Sequence, residues 1–420
     1  MTATDEAGRR RGNSPRGCIL PLGDQVQSPR RDDPTSNPKA TFIGSRGDDG
    51  RAYGENHPLA IPRVSLTQSL IHAYGALSEA EFVPARKAAD YELEWFHSPD
   101  YVAAMKRSEA LGRVKSIHRV RYRLGTLENP YFERFFTIAA TATGASIQAA
   151  EAVLAGRIAF NPAGGMHHAR PDHARGFCYF NDPVLAILRL RREGLRVLYV
   201  DLDAHHGDGV EEAFADDPEV LTLSLHMDTA YAYPHRGGRL EDAGTPAGAH
   251  TTVNVPLPLE THDAEYRLLF DAVWDPVLER FAPDAIVLQA GTDILAADPL
   301  GKLKVSTQCF LEVCAQVLRT APRHADGTPR LLVTGGGGYH PLLLARAWTG
   351  LWGLLSGRAL PEAIPPEGAE LLRAVGWDQD EDAPHDPRLF ESRLDSPEVR
   401  PVRPEVADLA RRIRRHPFLA

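Results

Sequence analysis

The stretch VLYVDLDAHHGDGV, residues 197–210, passes from apolar side chains directly into a cluster of charged ones. Its apolar start is typical of a strand that is buried on both faces of a sheet. Asp201, Asp203 and His205 follow at alternate positions, so they share one side if the strand continues that far. Carboxylates and imidazoles are ligands for divalent metals, although a solvated, aspartate-rich turn would have the same composition. The stretch therefore predicts a strand end that carries either a metal site or a polar turn.

Similar apolar runs alternate with helical patterns on either side of this stretch. Further strands are predicted at 285–291 and 330–338, and the pattern at 137–156 predicts a helix. Capping residues near Asn181 and Ser306 mark the starts of two more helices. Strands this apolar, separated by helices, indicate an α/β fold with a parallel sheet that is covered on both faces. Ligands of such sheets gather beyond the carboxyl ends of the strands.

The body of the chain is predicted to be one domain at 40–375, because no linker interrupts it. Residues 1–39 are rich in Arg, Asp, Pro, Ser and Gly, and they are predicted to form a disordered tail. Residues 376–420 are predicted to form a polar C-terminal tail that contains a short basic helix at 405–415.

Composition and charge exclude several classes of function. Lys and Arg number 47 against 56 acidic residues, which gives a net charge of −9 and no general basic footprint for nucleic acid. Neither a membrane-spanning segment nor an N-terminal signal peptide is expected. None of the four cysteines, Cys18, Cys178, Cys309 and Cys314, belongs to a CxxC pair. A cytoplasmic protein without a disulfide scaffold is the expectation.

Three more segments carry chemically distinctive residues after predicted strands. AGGMHHA holds His167 and His168, which are candidates for metal ligands, for bases, or for one buried and one surface histidine. LQAGTDILAADPL holds Asp293, a candidate metal ligand, helix cap or turn residue. TGGGGYH holds Tyr339 directly after a glycine run. The run forms either a tight turn or a phosphate-binding loop, but the segment lacks the ending of a P-loop motif. Taken together, these groups suit metal-assisted hydrolysis of a carbonyl compound.

Four long motifs carry a resemblance to a known family. They are AGGMHHARPDHARGFCYFND, VLYVDLDAHHGDGVEEAF, LQAGTDILAADPL and TGGGGYHPLLLARAW, within a similar region at 40–356. They closely resemble the zinc-dependent histone deacetylase family, in particular its class I branch and its bacterial acetoin-utilisation relatives, which LGTLENPYF also resembles. The resemblance implies an arginase-like deacetylase fold, a single three-layer α/β/α domain with a mostly parallel sheet of about eight strands.

The resemblance also implies two ion sites. By motif position, Asp203, His205 and Asp293 would hold Zn²⁺, and Fe²⁺ also suits two carboxylates and one imidazole. Three protein ligands leave positions open for water and the substrate carbonyl, as a catalytic site requires. A K⁺ ion is implied beneath the catalytic metal, held largely by backbone oxygens. The residues that match this second site are Asp201, Asp203, His205, Ser224 and Leu225.

Catalytic roles are implied by the same motifs. His168 would be the general base towards the attacking water and then the acid towards the leaving amine, with electrostatic help from His167. Asp208 and Asp201 would orient His168 and His167, respectively, and raise their basicity. Tyr339 would donate its hydroxyl to the carbonyl oxygen as that oxygen gains negative charge.

Four further residues match the substrate channel of the family. Phe177 matches one aromatic wall of an acyl-lysine channel, Gly176 precedes it, and Tyr233 is expected to form the opposing wall. Glu128 stands where class I enzymes carry an aspartate that grips the substrate backbone. The loop AYPHRGG (232–238) replaces the aromatic-Pro-Gly-Thr-Gly loop of the family, so a differently shaped rim is expected.

The resulting prediction is a metal-dependent deacetylase that hydrolyses acetyl-lysine in a protein or peptide to lysine and acetate. A deacetylase of acetylpolyamines or other small amides is an alternative, because the rim departs from the family pattern. A non-catalytic module that binds acyl-lysine is a second alternative. An arginase-type hydrolase is disfavoured, because Gly207 stands where that type needs an aspartate for a second metal. Acetylated substrates are the expected partners, and the oligomeric state is open.

Overall fold

The computed structural model describes residues 39–45, 53, 57–376, 386–395 and 399–419. The predicted N-terminal tail, apart from Lys39, lies outside the described residues, as does Cys18. The strands are β1 (Ala40–Gly44), β2 (Phe82–Pro84), β3 (Ile158–Asn161), β4 (Val197–Asp201), β5 (Val220–Met227), β6 (Thr252–Leu257), β7 (Ala285–Gln289) and β8 (Leu331–Thr334). The helices are α1 (Arg63–Ala73), α2 (Asp90–Leu93), α3 (Pro99–Ala110), α4 (Ser116–Tyr122), α5 (Phe135–Leu154), α6 (Asp182–Arg191), α7 (Asp208–Phe214), α8 (Asp263–Phe281), α9 (Thr307–Thr320), α10 (Pro341–Leu355), α11 (Pro366–Arg373), α12 (Arg388–Glu391) and α13 (Pro404–Ile413). Among the described residues, no helix combines the length and the apolarity needed to cross a bilayer.

The strands of the described chain form one 8-stranded sheet in the order β2-β1-β3-β8-β7-β4-β5-β6, and every pairing is parallel. Leu198 and Val200 of β4 pack on one face, together with α8, α9 and α10. Val197 and Tyr199 pack on the other face, together with α5, α6 and α7. Burial on both faces explains why the strand sequences are uniformly apolar. The predicted three-layer α/β/α fold is confirmed, and the sheet is parallel throughout.

Two helices begin where the sequence carries capping residues. Asn181 accepts a hydrogen bond from the Val184 N–H at 3.2 Å, and Ser306 accepts one from the Cys309 N–H at 3.1 Å. These side chains supply hydrogen-bond partners that the first turn of a helix otherwise lacks. The caps therefore set the starts of α6 and α9, and with them the lengths of the loops that leave the sheet.

α13 lies in the segment predicted as a polar tail, and it packs against α8. Val406, Leu409 and Ile413 form its buried stripe, at the spacing of one helix face. Arg403, just before the helix, places its Nη2 atom 2.7 Å from Oε2 of Glu265, whose side chain is 0% exposed. An apolar stripe and an ion pair with a buried carboxylate thus hold this helix to α8. The predicted domain boundaries stay a prediction.

Replacing Arg403 with alanine should lower the free energy of unfolding by about 2–3 kcal/mol, because the buried Glu265 carboxylate loses its charged partner. Urea unfolding measures the change. The matched control is Arg412→Ala within α13, because its partner Glu241 is exposed and the loss of that pair should cost less than about 1 kcal/mol. Equal changes in the two variants would contradict a stabilising role for the buried pair.

Candidate metal centre and active site

The loop after β4 carries two of the candidate metal ligands. β4 ends at Asp201, so the condition that the strand continues to His205 is not met. The Asp201 carboxylate accepts a hydrogen bond from the Asp203 N–H at 3.0 Å, and the Asp203 carboxylate accepts one from the His205 N–H at 2.9 Å. Such bonds from a side chain to the backbone two residues on compete with strand pairing and curl the chain. The curl, rather than strand alternation, positions these side chains.

Asp203, His205 and Asp293 lie together at the carboxyl ends of the neighbouring strands β4 and β7. Their ligand atoms all lie within 4.8 Å of one another. His205 Nδ1 lies 2.8 Å from Asp293 Oδ2 and 3.3 Å from Asp203 Oδ1. Asp293 Oδ1 accepts a hydrogen bond from the Ala204 N–H at 2.8 Å, which ties the two loops together. The structure thus brings together the three residues that motif position indicated.

The electrostatics of this group favour a cation among its side chains. Asp203 and Asp293 are 1% and 0% exposed, and His205 is 12% exposed. Burial opposes a charged imidazole, yet the hydrogen bonds and charges of the two aspartates raise the pKa of His205 to about 10. Burial and the nearby Asp203 charge raise the pKa of Asp293 to about 7. Two buried carboxylates beside one imidazole therefore fit a divalent ion such as Zn²⁺ or Fe²⁺, which would supply the positive charge that the group attracts.

Two glycines leave room for the ligands to converge. A Cβ atom at Gly337 would lie 2.0 Å from Asp293 Oδ2, and one at Gly291 would lie 2.6 Å from Asp203 Oδ2. The Gly337 N–H also donates a hydrogen bond to Asp203 Oδ2. The glycine run after β8 therefore packs directly against the metal-binding side chains, where a larger residue would displace them.

His167 and His168 form a second buried group beside the metal-binding side chains. His167 Nδ1 lies 2.8 Å from Asp201 Oδ2, and His168 Nδ1 lies 2.8 Å from Asp208 Oδ1. The two Nε2 atoms are 3.0 Å apart. Both imidazoles are buried, so the alternative of one surface histidine is wrong. Each ring is held by a carboxylate through Nδ1, and both rings line the small pocket that also contains Asp203 and His205.

The two imidazoles differ in the direction of their pKa shifts. Burial and the neighbouring His167 charge lower the pKa of His168 to about 3, against the attraction of Asp208. Burial also opposes charge on His167, but Asp201 and Asp203 outweigh it and raise the pKa of His167 to about 9. The opposite directions of the two shifts favour positive charge on His167 over His168, an arrangement that suits one base and one electrostatic helper.

Tyr339 approaches this site from the loop before α10. Its ring centre lies 6.4 Å from that of His205 and 6.3 Å from that of Phe177. Its backbone N–H donates to Asp298 Oδ2 at 2.7 Å, which fixes the loop independently of the phenol. Burial and the charges of the two metal-binding aspartates raise the pKa of the phenol. Tyr339 therefore remains a hydrogen-bond donor at neutral pH.

The four residues predicted for the substrate channel line one cavity of about 280 Å³. They are Glu128, Gly176, Phe177 and Tyr233, and His168, His205 and Tyr339 line the same cavity. Glu128 Oε1 accepts hydrogen bonds from the Gly176 N–H at 2.7 Å and from the Tyr233 hydroxyl at 2.8 Å. The aromatic side chains and the reactive groups thus border one connected space.

Residues 57–355 match the family model described as the histone deacetylase domain. This chain belongs to the histone deacetylase family. Histone deacetylase 8 of Xenopus tropicalis is 40% identical over 305 residues, which are 72% of this chain and 80% of that protein. Histone deacetylase 9 of Arabidopsis thaliana is 40% identical over 323 residues, which are 76% of this chain and 74% of that protein. A crystal structure of an HDAC homolog from Aquifex aeolicus matches with a TM-score of 0.84 at 40% identity, covering 89% of this chain and 99% of that chain.

Membership of the histone deacetylase family makes the chain a hydrolase and a deacetylase, and it confirms the resemblance seen in the motifs. The group of Asp203, His205 and Asp293 is its metal-binding site. Within the described residues this is the one cluster of three such ligands, and Gly207 adds no carboxylate for a second, arginase-type metal.

Sequence reasoning misses two residues that support the histidine pair of this histone deacetylase-family site. The Tyr199 hydroxyl lies 2.7 Å from Asp201 Oδ2 and 2.9 Å from Gln289 Oε1. Gln289 Nε2 lies 2.8 Å from His167 Nδ1. The register of β4 with β7 pairs Asp201 with Gln289, and this pairing brings the four side chains together. A lone glutamine at the end of the apolar run AIVLQ is the signal that could have found them.

Of the residues implied for a K⁺ site, Asp201, Ser224 and Leu225 lie on adjoining strands of this deacetylase fold, and Asp203 and His205 lie in the loop after β4. The register of β4 with β5 pairs Asp201 with Ser224, and Leu225 comes next on β5. Ser224 Oγ lies 2.8 Å from His226 Nδ1. The K⁺ site itself stays a prediction.

Proposed function

We propose that this protein hydrolyses the amide bond of acetyl-lysine in peptides or proteins to give lysine and acetate, with Zn²⁺ at its Asp-His-Asp group. The observation that carries the proposal is that His168, His205 and Tyr339 border a single cavity with two aromatic side chains, Phe177 and Tyr233. An apolar, aromatic slot suits the methylenes of a lysine side chain, while polar groups at its inner end would orient the amide.

Each polar group of the site has a role in this reaction. When bound, the ion would act as a Lewis acid towards the amide carbonyl and the attacking water. Neutral His168, held through Nδ1 by Asp208, takes the proton of the water and later passes it to the leaving amine. Protonated His167, held by Asp201, adds positive charge beside it. The Tyr339 hydroxyl donates a hydrogen bond to the carbonyl oxygen as that oxygen gains negative charge.

One observation favours small acetylated amines as a second class of substrate. Glu128 Oε1 already accepts hydrogen bonds from Gly176 and Tyr233, which both belong to the channel. A carboxylate oxygen has about two lone pairs to share, so Oε1 is fully used within the protein and only Oε2 is left to accept a hydrogen bond from a substrate backbone. Acetylpolyamines have no peptide backbone to be gripped, and they would lose nothing from this arrangement.

The proposal also includes a K⁺ ion and a cytoplasmic location. K⁺ would bind at backbone oxygens near Asp201, and the adjacency of Asp201 and Ser224 in the sheet supports this position. Cys178, Cys309 and Cys314 are free and buried, which supports a reducing compartment.

An assay of the purified full-length protein, loaded with Zn²⁺ or Fe²⁺, tests the proposal against acetylated peptides, acetylated proteins and acetylpolyamines. Acetate release and metal content are measured in parallel. We expect acetyl-lysine peptides to be hydrolysed by protein that holds about one ion per chain. Hydrolysis of polyamines alone would favour the second class of substrate. Metal-loaded protein that binds acetyl-lysine peptides without hydrolysing any substrate would instead be an acyl-lysine binding module.

A further inference from the structure

Arg175 touches two of the residues that hold His168. Its Nη1 atom lies 3.1 Å from Asp208 Oδ2, and its Nε–H donates to the Tyr233 hydroxyl at 3.0 Å. The Arg175 and Asp208 side chains are only 8% and 5% exposed. Because water competes little with a buried, charge-assisted hydrogen bond, such a bond restricts both of its partners strongly. Arg175 therefore fixes Asp208 and Tyr233 relative to each other.

Asp208 and Tyr233 in turn hold His168 from two sides. Asp208 Oδ1 lies 2.8 Å from His168 Nδ1. The Tyr233 ring stands edge-on to the imidazole, with ring centres 4.8 Å apart and an interplanar angle of 77°. The contacts form a closed circuit that runs from His168 through Asp208, Arg175 and Tyr233 back to His168. A closed circuit leaves the imidazole less freedom than either neighbour alone would leave it.

The backbone that follows Arg175 passes directly against the same imidazole. Gly176 has a φ of +56°, and a Cβ atom there would lie 2.4 Å from His168 Cδ2. The Gly176 N–H donates to Glu128 Oε1, which also accepts the Tyr233 hydroxyl hydrogen bond. The segment 175–176 thus contacts the imidazole, its carboxylate and the channel wall at once.

We propose that Arg175 is a positioning residue for His168, because it joins Asp208 to Tyr233 and so holds the imidazole and one channel wall in a single arrangement. The inference rests on the proposed function, in which His168 is the base. Arg170 offers a contrast, because its Nη2–H donates to Asp208 Oδ2 at 2.7 Å and its Nη1–H to the Asp208 carbonyl at 2.6 Å, so within this circuit it contacts Asp208 alone. Arg175 is the member that links the carboxylate to the wall.

The first test compares Arg175→Gln and Arg175→Lys in the metal-loaded, full-length protein, with an acetyl-lysine peptide that the wild type hydrolyses. Arg175→Gln should lower kcat by about tenfold and change KM by less than about threefold, because a misplaced base slows the chemistry without weakening substrate binding. Arg175→Lys keeps the charge but lacks the planar fork that reaches both partners, so kcat should recover only in part and stay at least about threefold below the wild type. An unchanged kcat in Arg175→Gln, or a change in KM alone, would overturn the proposal.

The second test is a double-mutant cycle between Arg175 and Tyr233. Tyr233→Phe keeps the ring against His168 but removes the hydroxyl, and it should lower kcat by about threefold. In the Arg175→Gln background the same change should have no further effect, because the circuit is already open. Effects that multiply would show two independent roles and overturn the proposal.

One control variant and one fallback cycle keep the outcomes separable. Arg189→Gln removes an arginine from the surface pair with Glu193, and its kcat should equal that of the wild type. If Arg175→Gln does not fold, the cycle is run with Arg175→Lys and Tyr233→Phe and read in the same way. A wild type that hydrolyses no acetylated substrate overturns the proposed function, and with it this inference. An active wild type with an equally active Arg175→Gln variant overturns the inference alone.

Discussion

The Asp293→Ala variant should lose both its bound metal ion and its hydrolytic activity. The substitution leaves Asp203 and His205 as two ligands, and it removes one of the two buried charges that attract a cation. Two ligands bind a catalytic metal far more weakly than three, so kcat should fall by at least about 10³-fold. Elemental analysis after dialysis, paired with steady-state kinetics on the same sample, measures both effects.

Two further variants show whether the loss arises from the ligand itself. Asp293→Asn keeps an oxygen that can accept the hydrogen bond of the Ala204 N–H, so the loops stay tied while the charge is gone. It should also lose the ion, which assigns the effect to the carboxylate charge. Asp271→Ala removes an aspartate from an exposed pair with Arg267 on α8, and it should keep both metal and activity. Stoichiometric metal in Asp293→Ala would contradict the assignment of Asp293 as a ligand.

The chemistry of the site could be predicted from sequence because each reactive group lies in a contiguous motif after a strand. Asp203 and His205 occupy one motif, Asp293 a second and Tyr339 a third, and a parallel sheet brings the carboxyl ends of its strands to one edge. The residues that support the histidine pair do not lie in such motifs. Gln289 reaches His167 only because β7 pairs with β4, and strand order is a property of the whole sheet that no single motif records.

The strand β4 ends before Asp203 and His205 for a local physical reason. Asp201, Asp203 and His205 have the period of two that strands show, but the two carboxylates accept hydrogen bonds from the backbone two residues on. The same spacing therefore produces a curl. The role of Arg175 could not be predicted from the sequence for a related reason. A charged residue in a loop is usually solvated. The burial of Arg175 depends on contacts with Asp208 and Tyr233, which are distant in sequence.

Replacing Tyr339 with phenylalanine should lower kcat by about 10²–10³-fold and leave KM nearly unchanged. The aromatic ring and its packing near His205 and Phe177 remain, so only the hydroxyl is lost. Burial and the two metal-binding aspartates raise the pKa of that hydroxyl, which keeps it protonated across the neutral pH range. A donor that meets the carbonyl oxygen only as it gains charge stabilises the transition state and not the bound substrate.

Metal content separates this variant from the Asp293 variants. The Tyr339 N–H bond to Asp298 belongs to the backbone, so the loop keeps its place in Tyr339→Phe, and about one ion per chain should remain bound. Tyr91→Phe, at an exposed tyrosine of α2, is the matched control and should behave as the wild type. If kcat fell by less than about threefold, the Tyr339 hydroxyl would have no role in the chemical step. A rise in KM at constant kcat would instead assign the hydroxyl to substrate binding. A large fall in kcat with the ion still bound would show that activity is lost because the Tyr339 hydroxyl is missing, and not because the metal is missing.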